Sequence, residues 1–156
     1  MPENTQTNYS EVIRTATQSI TNGECTCVVL TQDNQTLHRS GIGVKPLIQL
    51  YENEPDTLTN ACVVDKIIGK AAAMLLTLAG VSHIHALTMS KSAIAFLQSV
   101  GVSASYDNLV DTIHNRTNTG TCPLESCVLE LTDTAQAYTA IKDTIAILMS
   151  QAQATS

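Results

Sequence analysis

The chain has 156 residues and a formal net charge of −6, with 14% of residues charged, 44% hydrophobic and 3% aromatic. That length suits one domain able to bury about 68–70% of the surface its unfolded chain exposes, and the apolar share argues against a disordered chain. The acidic balance speaks against a general nucleic-acid binder, which carries a basic stripe, and one Phe, four Tyr and no Trp leave almost no aromatic platform for single strands.

Residues 1–8 and 151–156 read as flexible ends around a single domain, 9–150. The opening MPENTQTNYSEV has neither the basic nor the apolar region of a signal peptide. The longest apolar stretch, Ala71–Val81, is too short for a membrane span, which needs about 20 residues. Five cysteines, an odd number without framework spacing, read as reduced and mostly buried thiols, so a cytoplasmic protein is expected.

In chain order, Tyr9–Thr21 reads as an amphipathic helix with Val12, Ile13, Ala16 and Ile20 on one face, stopped at Asn22-Gly23. Glu24–Thr31 and Gln35–Ser40 form a hairpin around Gln32-Asp33-Asn34. Gly41–Pro46 is a loop, Pro46–Tyr51 a short helical or irregular piece, and Glu52–Asn60 a polar connection. Cys62–Ala79 reads as the central helix, ended by Gly80. His83–Met89 is a strand, Lys91–Val100 a helix ended by Gly101, and Val102–Tyr106 a short strand. Asn108–Thr121 is irregular, Pro123–Leu131 starts a helix, and Asp133–Ser150 is a final amphipathic helix. An opening hairpin followed by β-α-β crossovers predicts a three-layer α/β/α sandwich with a mixed sheet of about four strands.

Three stretches carry candidate chemistry. On the central helix the polar residues Asp65, Lys66, Gly69, Lys70 and Thr77 fall within an arc of about 140°. The lysines near its N-terminus oppose the helix dipole, which a carboxylate or a bound anion would offset; the plainer alternative is a solvated charged strip. Arg39-Ser40-Gly41-Ile42-Gly43-Val44-Lys45-Pro46 follows a strand, and its glycines allow close approach to a phosphate or simply a sharp exit. Its spacing matches neither the dinucleotide fingerprint nor the P-loop. Asn115 through Cys127 is the densest stretch. Pro123 suits the first helical position and puts Cys122 at the N-cap, where exposed amides favour a thiolate. Glu125 then lies in the first turn.

The cysteine and histidine spacing does not match a metal site. Cys122 and Cys127 are five apart, which rotates a helix by about 500° and separates the thiols by about 140°. His83 and His85 share one strand face and read as half-exposed strand residues, while Cys25 and Cys27 read as a buried pair on one strand face and Cys127 as core.

Taken together, LHRSGIGVKPLIQLY, VVDKIIGKAAAMLL and the segment from Ile113-His114-Asn115-Arg116 through Ser126 resemble an uncharacterised bacterial family, domain of unknown function 1893, over about residues 24–131. The resemblance implies a cytidine-deaminase-like fold and no established activity. Zinc deaminases carry H-x-E and P-C-x-x-C motifs. Here the matching positions read Cys62-Val63-Val64-Asp65 and Cys122-Pro123-Leu124-Glu125-Ser126-Cys127, so the zinc triad does not carry over. Only a rebuilt site using Cys62, Cys122 and a histidine would restore such a metal-dependent deaminase or hydrolase.

Five of the eight cationic residues, Arg39, Lys45, Lys66, Lys70 and Arg116, fall in these three segments. The expectation is a small anionic partner, nucleotide-like or phosphorylated, held by Arg39, Lys45, Lys66 and Lys70 and oriented by Asn115, Arg116, Thr119 and Thr121. Asp65, Glu125 and Cys122 are the candidate acid, base and nucleophile. No metal, cofactor, nucleic acid or membrane is expected as partner. The competing expectation is a non-catalytic interaction module, a homodimer through the apolar faces of the final helices.

Overall fold

The computed structural model describes residues 5–41, 44–113 and 122–154, with side chains for all of these except 5–9 and 152–154. In chain order they form α1 (Thr5–Thr21), β1 (Cys27–Leu30), β2 (Thr36–Arg39), α2 (Lys45–Asn53), a 3-10 turn (Pro55–Thr57), β3 (Cys62–Ile68), α3 (Lys70–Ala79), β4 (His83–Ser90), α4 (Lys91–Val100), β5 (Ser103–Val110), α5 (Pro123–Cys127) and α6 (Thr134–Ala154).

The strands make one mixed sheet in the order β2-β1-β3-β4-β5. β1 runs antiparallel to β2 and β3, and β3, β4 and β5 are mutually parallel. The two parallel crossovers are α3 and α4. Each ends in a glycine with left-handed backbone, Gly80 at φ 85° and Gly101 at φ 78°, a conformation that glycine adopts without steric cost.

Side chains alternate across the sheet and build two unequal cores. On one face the register aligns Leu37, Val29, Val63, Ile84 and Ala104 in a row. These pack with Leu47 and Leu50 of α2, Met74, Leu75 and Leu76 of α3, Leu97 of α4 and Ile141 of α6. On the other face Ala16 and Ile20 of α1 pack on Cys25, Val28 and Val64, with Ile13 and Leu87 alongside. One helix against the sheet on one side and five on the other is the three-layer α/β/α arrangement expected.

The largest departure from expectation is residues 62–79. They are a strand, a break at Gly69, and a helix, not one helix. Val63, Val64, Ile67 and Ile68 are β-branched and favour the strand, whereas the run from Ala71 to Leu76 has strong helix formers. A strand buried on both faces is an unbroken apolar run, which periodicity does not separate from a buried helix. The supposed polar arc on that helix therefore does not exist. The sheet has five strands, and β5 continues past Tyr106 to Val110. Residues 46–51 belong to a regular helix, α2, and α6 runs to Ala154. Cys25 and Cys27 are both buried but in opposite cores, Cys25 beneath α1 and Cys27 beneath the larger layer. Among the described residues no helix is long and apolar enough to cross a membrane.

Candidate functional site

Because β1 is antiparallel to its neighbours, β2 and β3 end where β1 begins, and α3 and α4 start at that same end. Open α/β sheets place ligands outside the carboxyl ends of their strands. Most of the described candidate residues belong to this end.

Asp65 is the fourth of the seven residues of β3, in register with Cys27 of β1 and Ala86 of β4, and Cys27 in turn pairs with Arg39 of β2, the last residue of that strand. Arg39 and Asp65 are thus two strands apart, about 10 Å. Asp65 is 7% exposed. Burial pushes its carboxyl up to about 7, and the Lys66 and Ile67 amides only partly oppose this; Lys66 N donates to Oδ1 at 2.7 Å. The same carboxylate helps to raise the Cys25 and Cys27 thiols, although burial is the larger cause in both.

Lys66 is exposed beside Asp65, and Lys45 is exposed at the start of α2. Gly41 lies against the start of β1 and of α2: Thr26 Oγ1 donates to Gly41 O at 3.5 Å, and a Cβ on Gly41 would stand 2.7 Å from Pro46 Cγ. Gly41 is therefore needed for a close approach. Arg39 is already engaged, with Nη1 donating to His38 O at 2.9 Å and Nη2 lying 3.6 Å from Glu54.

The N-terminus of α3 is closed from within the chain. Gly69 is its N-cap and has no side chain to offer. Glu125, on α5, accepts from Lys70 N at 2.8 Å and Ala71 N at 3.1 Å. A Cβ on Gly69 would lie 2.3 Å from the Glu125 carboxyl carbon, so only glycine leaves room. The Lys70 ammonium donates to Leu129 O at 2.9 Å, just beyond α5. Glu125 thus serves as the anion at a helix N-terminus. Cys122 is the half-buried N-cap of α5, with no hydrogen bond from its thiol to the helix, and its N–H donates to Ile113 O at 3.0 Å.

The structure therefore brings Asp65, Lys66, Lys70 and Glu125 to one end of β3 and α3, with Arg39 and Lys45 on the β2 side and Cys122 on the α5 side. Asn115, Arg116, Thr119 and Thr121 lie outside the described residues. Cys62 begins β3, and six strand steps, about 20 Å, separate it from the end where α3 and α5 meet. Among the described residues no group of three His, Cys, Asp or Glu side chains is placed to hold a metal ion. Reading the sequence missed the Gly69–Glu125 pairing. No local pattern announces a contact between residues that far apart.

The family model for a domain of unknown function, DUF1893, matches residues 15–145. The crystal structure of a DUF1893 family protein, TM1506 from Thermotoga maritima, is similar to this chain, with 27% identity, 90% of each chain covered and a TM-score of 0.70. No curated protein matches. With most of its length matched by the family model and its fold shared with a solved member, the chain belongs to the DUF1893 family.

Proposed function

We propose that the chain binds a small anionic ligand, nucleotide-like or phosphorylated, at the end of the sheet where β2 and β3 stop and α2 begins, and that Asp65 exchanges a proton with it. Asp65 carries this reading. A carboxyl group kept nine-tenths buried, its proton affinity raised to about 7, costs stability that a simple core residue would not cost. Arg39, in register with Asp65 through Cys27, and Lys45 at the start of α2 bring positive charge to the same edge, with Lys66 on the opposite face of the sheet, in a chain whose net charge is −6. The open mixed sheet with its helices starting at this edge also favours the cytidine-deaminase-like reading, here without the deaminase metal motif. Glu125 and Lys70 then belong to the frame of the site, since each is committed to the α3–α5 junction.

Thermal denaturation with inorganic phosphate, nucleoside monophosphates and sugar phosphates tests the proposal. A ligand at 100 times its dissociation constant stabilises by about 2.7 kcal/mol. That gain should be reduced in Arg39→Ala and in Lys45→Ala. Absence of a shift with every anion would sink it.

One observation favours the second reading, an interaction module. The C-terminal half of α6 exposes Ile147 (58%), Leu148 (38%) and Met149 (48%), and Leu129 nearby in sequence to α5 is 64% exposed. A dimer through α6 would cover such residues, and Ile147→Lys would then convert it to a monomer in light scattering.

A further inference from the structure

The sheet face beneath α1 is only partly covered. α1 packs on β1 and β3, and beyond it β4 and β5 carry an unbroken polar chain. Ser103 Oγ meets His83 Nδ1 at 2.8 Å, and His83 Nε2 meets Ser105 Oγ at 3.1 Å. Ser105 Oγ meets His85 Nδ1 at 2.7 Å, and His85 Nε2 meets Asp107 Oδ1 at 3.2 Å. The register explains the assembly: His83 pairs with Ser103 and His85 with Ser105 across parallel strands, so alternate residues share one face.

The chain has one consistent polarity. With Asp107 as a carboxylate, it only accepts, so His85 Nε2 donates and His85 Nδ1 is left as acceptor for the Ser105 hydroxyl. The Ser105 oxygen then accepts from His83 Nε2, and His83 Nδ1 accepts from Ser103. Burial, and secondarily the neighbouring His85, lowers the proton affinity of His83, which favours its neutral ring.

Two ring nitrogens, His83 Nε2 and His85 Nδ1, thus converge on one point, held by the Ser105 hydroxyl; His83 Nε2 becomes a ligand when its proton moves to Nδ1, which then donates to Ser103 Oγ. Imidazole binds Zn²⁺ at about 2.0–2.1 Å. Turning the hydroxyl aside and moving each ring inward by about 1 Å or less reaches that distance, with Ser105 Oγ available as a further oxygen. Behind His85, Asp107 accepts the other ring N–H, the carboxylate–histidine pairing that orients metal-binding imidazoles. A shallow groove of about 440 Å³ between α1 and these strands is lined by Ile13, Arg14, His85, Ser105 and Asp107. The one cation in this lining, Arg14, is paired with Glu11 at 2.9 Å.

We propose that His83 and His85 form a two-histidine site for a divalent transition-metal ion of the Zn²⁺ and Ni²⁺ class, centred at Ser105. Asp107 is its positioning residue, and the remaining coordination positions are open to water or a small ligand from the groove. The site is separate from the Asp65 end of the sheet and stands or falls independently of it.

Titration with Co²⁺ alone is the test, because its visible spectrum distinguishes imidazole and oxygen ligands from the thiolates of Cys122 and Cys127. Expected is saturable binding of one ion per chain, without thiolate charge-transfer absorption. His83→Ala and His85→Ala should each abolish it, and Asp107→Asn should weaken it by about 10–100-fold. In the unsubstituted chain, Zn²⁺ should shift the imidazole ¹⁵N resonances of His83 and His85 and leave His38 unmoved, which keeps the test valid if a variant folds poorly. No saturable binding, binding that survives both histidine substitutions, thiolate-only spectra, or unmoved His83 and His85 resonances would each overturn the proposal.

Discussion

Lys70 is held at both ends by one short segment: Glu125 accepts its backbone N–H at 2.8 Å, and Leu129 O accepts its side-chain ammonium at 2.9 Å. In both bonds Lys70, the first residue of α3, is the donor, and the segment from α5 to Leu129 supplies the acceptor. They fix which anion sits at the start of α3, and they tie the segment following residues 114–121 to the central crossover. A ligand at this edge of the sheet meets a helix end already neutralised from within, so its charge must be met by side chains.

Removing that internal anion should have two consequences. Glu125→Ala leaves the Lys70 and Ala71 amides without their partner at a buried position, at a cost of about 1–3 kcal/mol. It also opens a helix N-terminus able to take an external anion. Thermal unfolding should show the variant destabilised in plain buffer and stabilised by added inorganic phosphate more than the wild type is. Equal phosphate effects on both proteins would mean that the opened helix end takes no anion.

Gly69→Ala tests the same junction from the other side. The added methyl would sit 2.3 Å from the Glu125 carboxyl carbon, so the carboxylate or the α5 turn must move. Overpacking of this kind costs about 1–3 kcal/mol. If the clash with Glu125 is the cause, the double variant Gly69→Ala/Glu125→Ala costs less than the sum of the singles, with a coupling of about 0.5–3 kcal/mol in denaturant titrations. Simple additivity would place the strain elsewhere.

What the sequence shows of this molecule follows from the range of each signal. Glycine stops at Gly80 and Gly101, the hairpin at residues 32–34 and the helix over residues 91–100 are local, and they stand in the structure as read. Residues 62–68 read as helix because a doubly buried strand and a buried helix present the same apolar string. A helix would put Asp65 and Lys66 on one face, whereas they are consecutive strand residues on opposite faces of the sheet. The Glu125–Lys70 junction and the His83–Asp107 chain depend on pairings between distant elements, which one sequence does not encode in any spacing. The period-two run Ser103, Ser105, Asp107 was readable, but only as one face of a strand. Segment membership says nothing of which face a cation takes: Arg39 and Lys45 lie on the β2 side, Lys66 faces the opposite side from Asp65, Lys70 is bound to Leu129 O, and Arg116, Asn115, Thr119 and Thr121 fall outside the described residues.

The five cysteines should separate by reactivity. Cys25, Cys27 and Cys62 are 4%, 1% and 1% exposed, and Cys122 and Cys127 are half-buried. Burial pushes the Cys62 thiol up to about 12, which cuts its thiolate fraction by about a thousandfold relative to an ordinary thiol. Cys127 Sγ donates to Leu124 O at 3.1 Å, and burial raises its proton affinity too. A thiol reagent should therefore label Cys122 first and Cys127 more slowly in the native protein. The other three should react only on unfolding, as mass mapping of labelled peptides would show. Rapid native labelling of Cys62 would contradict the burial of β3.

Asp65 makes the sharpest pH prediction. Its carboxyl titrates near 7 in the folded protein, above the ordinary 3.8 expected of the unfolded chain. Below 3.8 both states hold the proton and the group contributes nothing to the pH dependence. Between 3.8 and 7 the unfolded chain releases its proton while the folded one keeps it, so stability falls as pH rises, and above 7 the penalty is constant. At about 1.36 kcal/mol per unit, the full penalty is about 4 kcal/mol. Asp65→Asn has no proton to lose, so its stability relative to wild type should rise from pH 4 to pH 8 by an amount of that order, read from urea midpoints across the range. If Asp65 also exchanges a proton with the bound anion, the same substitution should change the pH dependence of phosphate binding in that window, leaving only that of the second ionisation of phosphate itself. A gain in stability at pH 8 with unchanged binding would assign the buried carboxyl a structural role alone, whereas a constant difference at every pH would show that Asp65 titrates normally and that its burial carries no charge penalty.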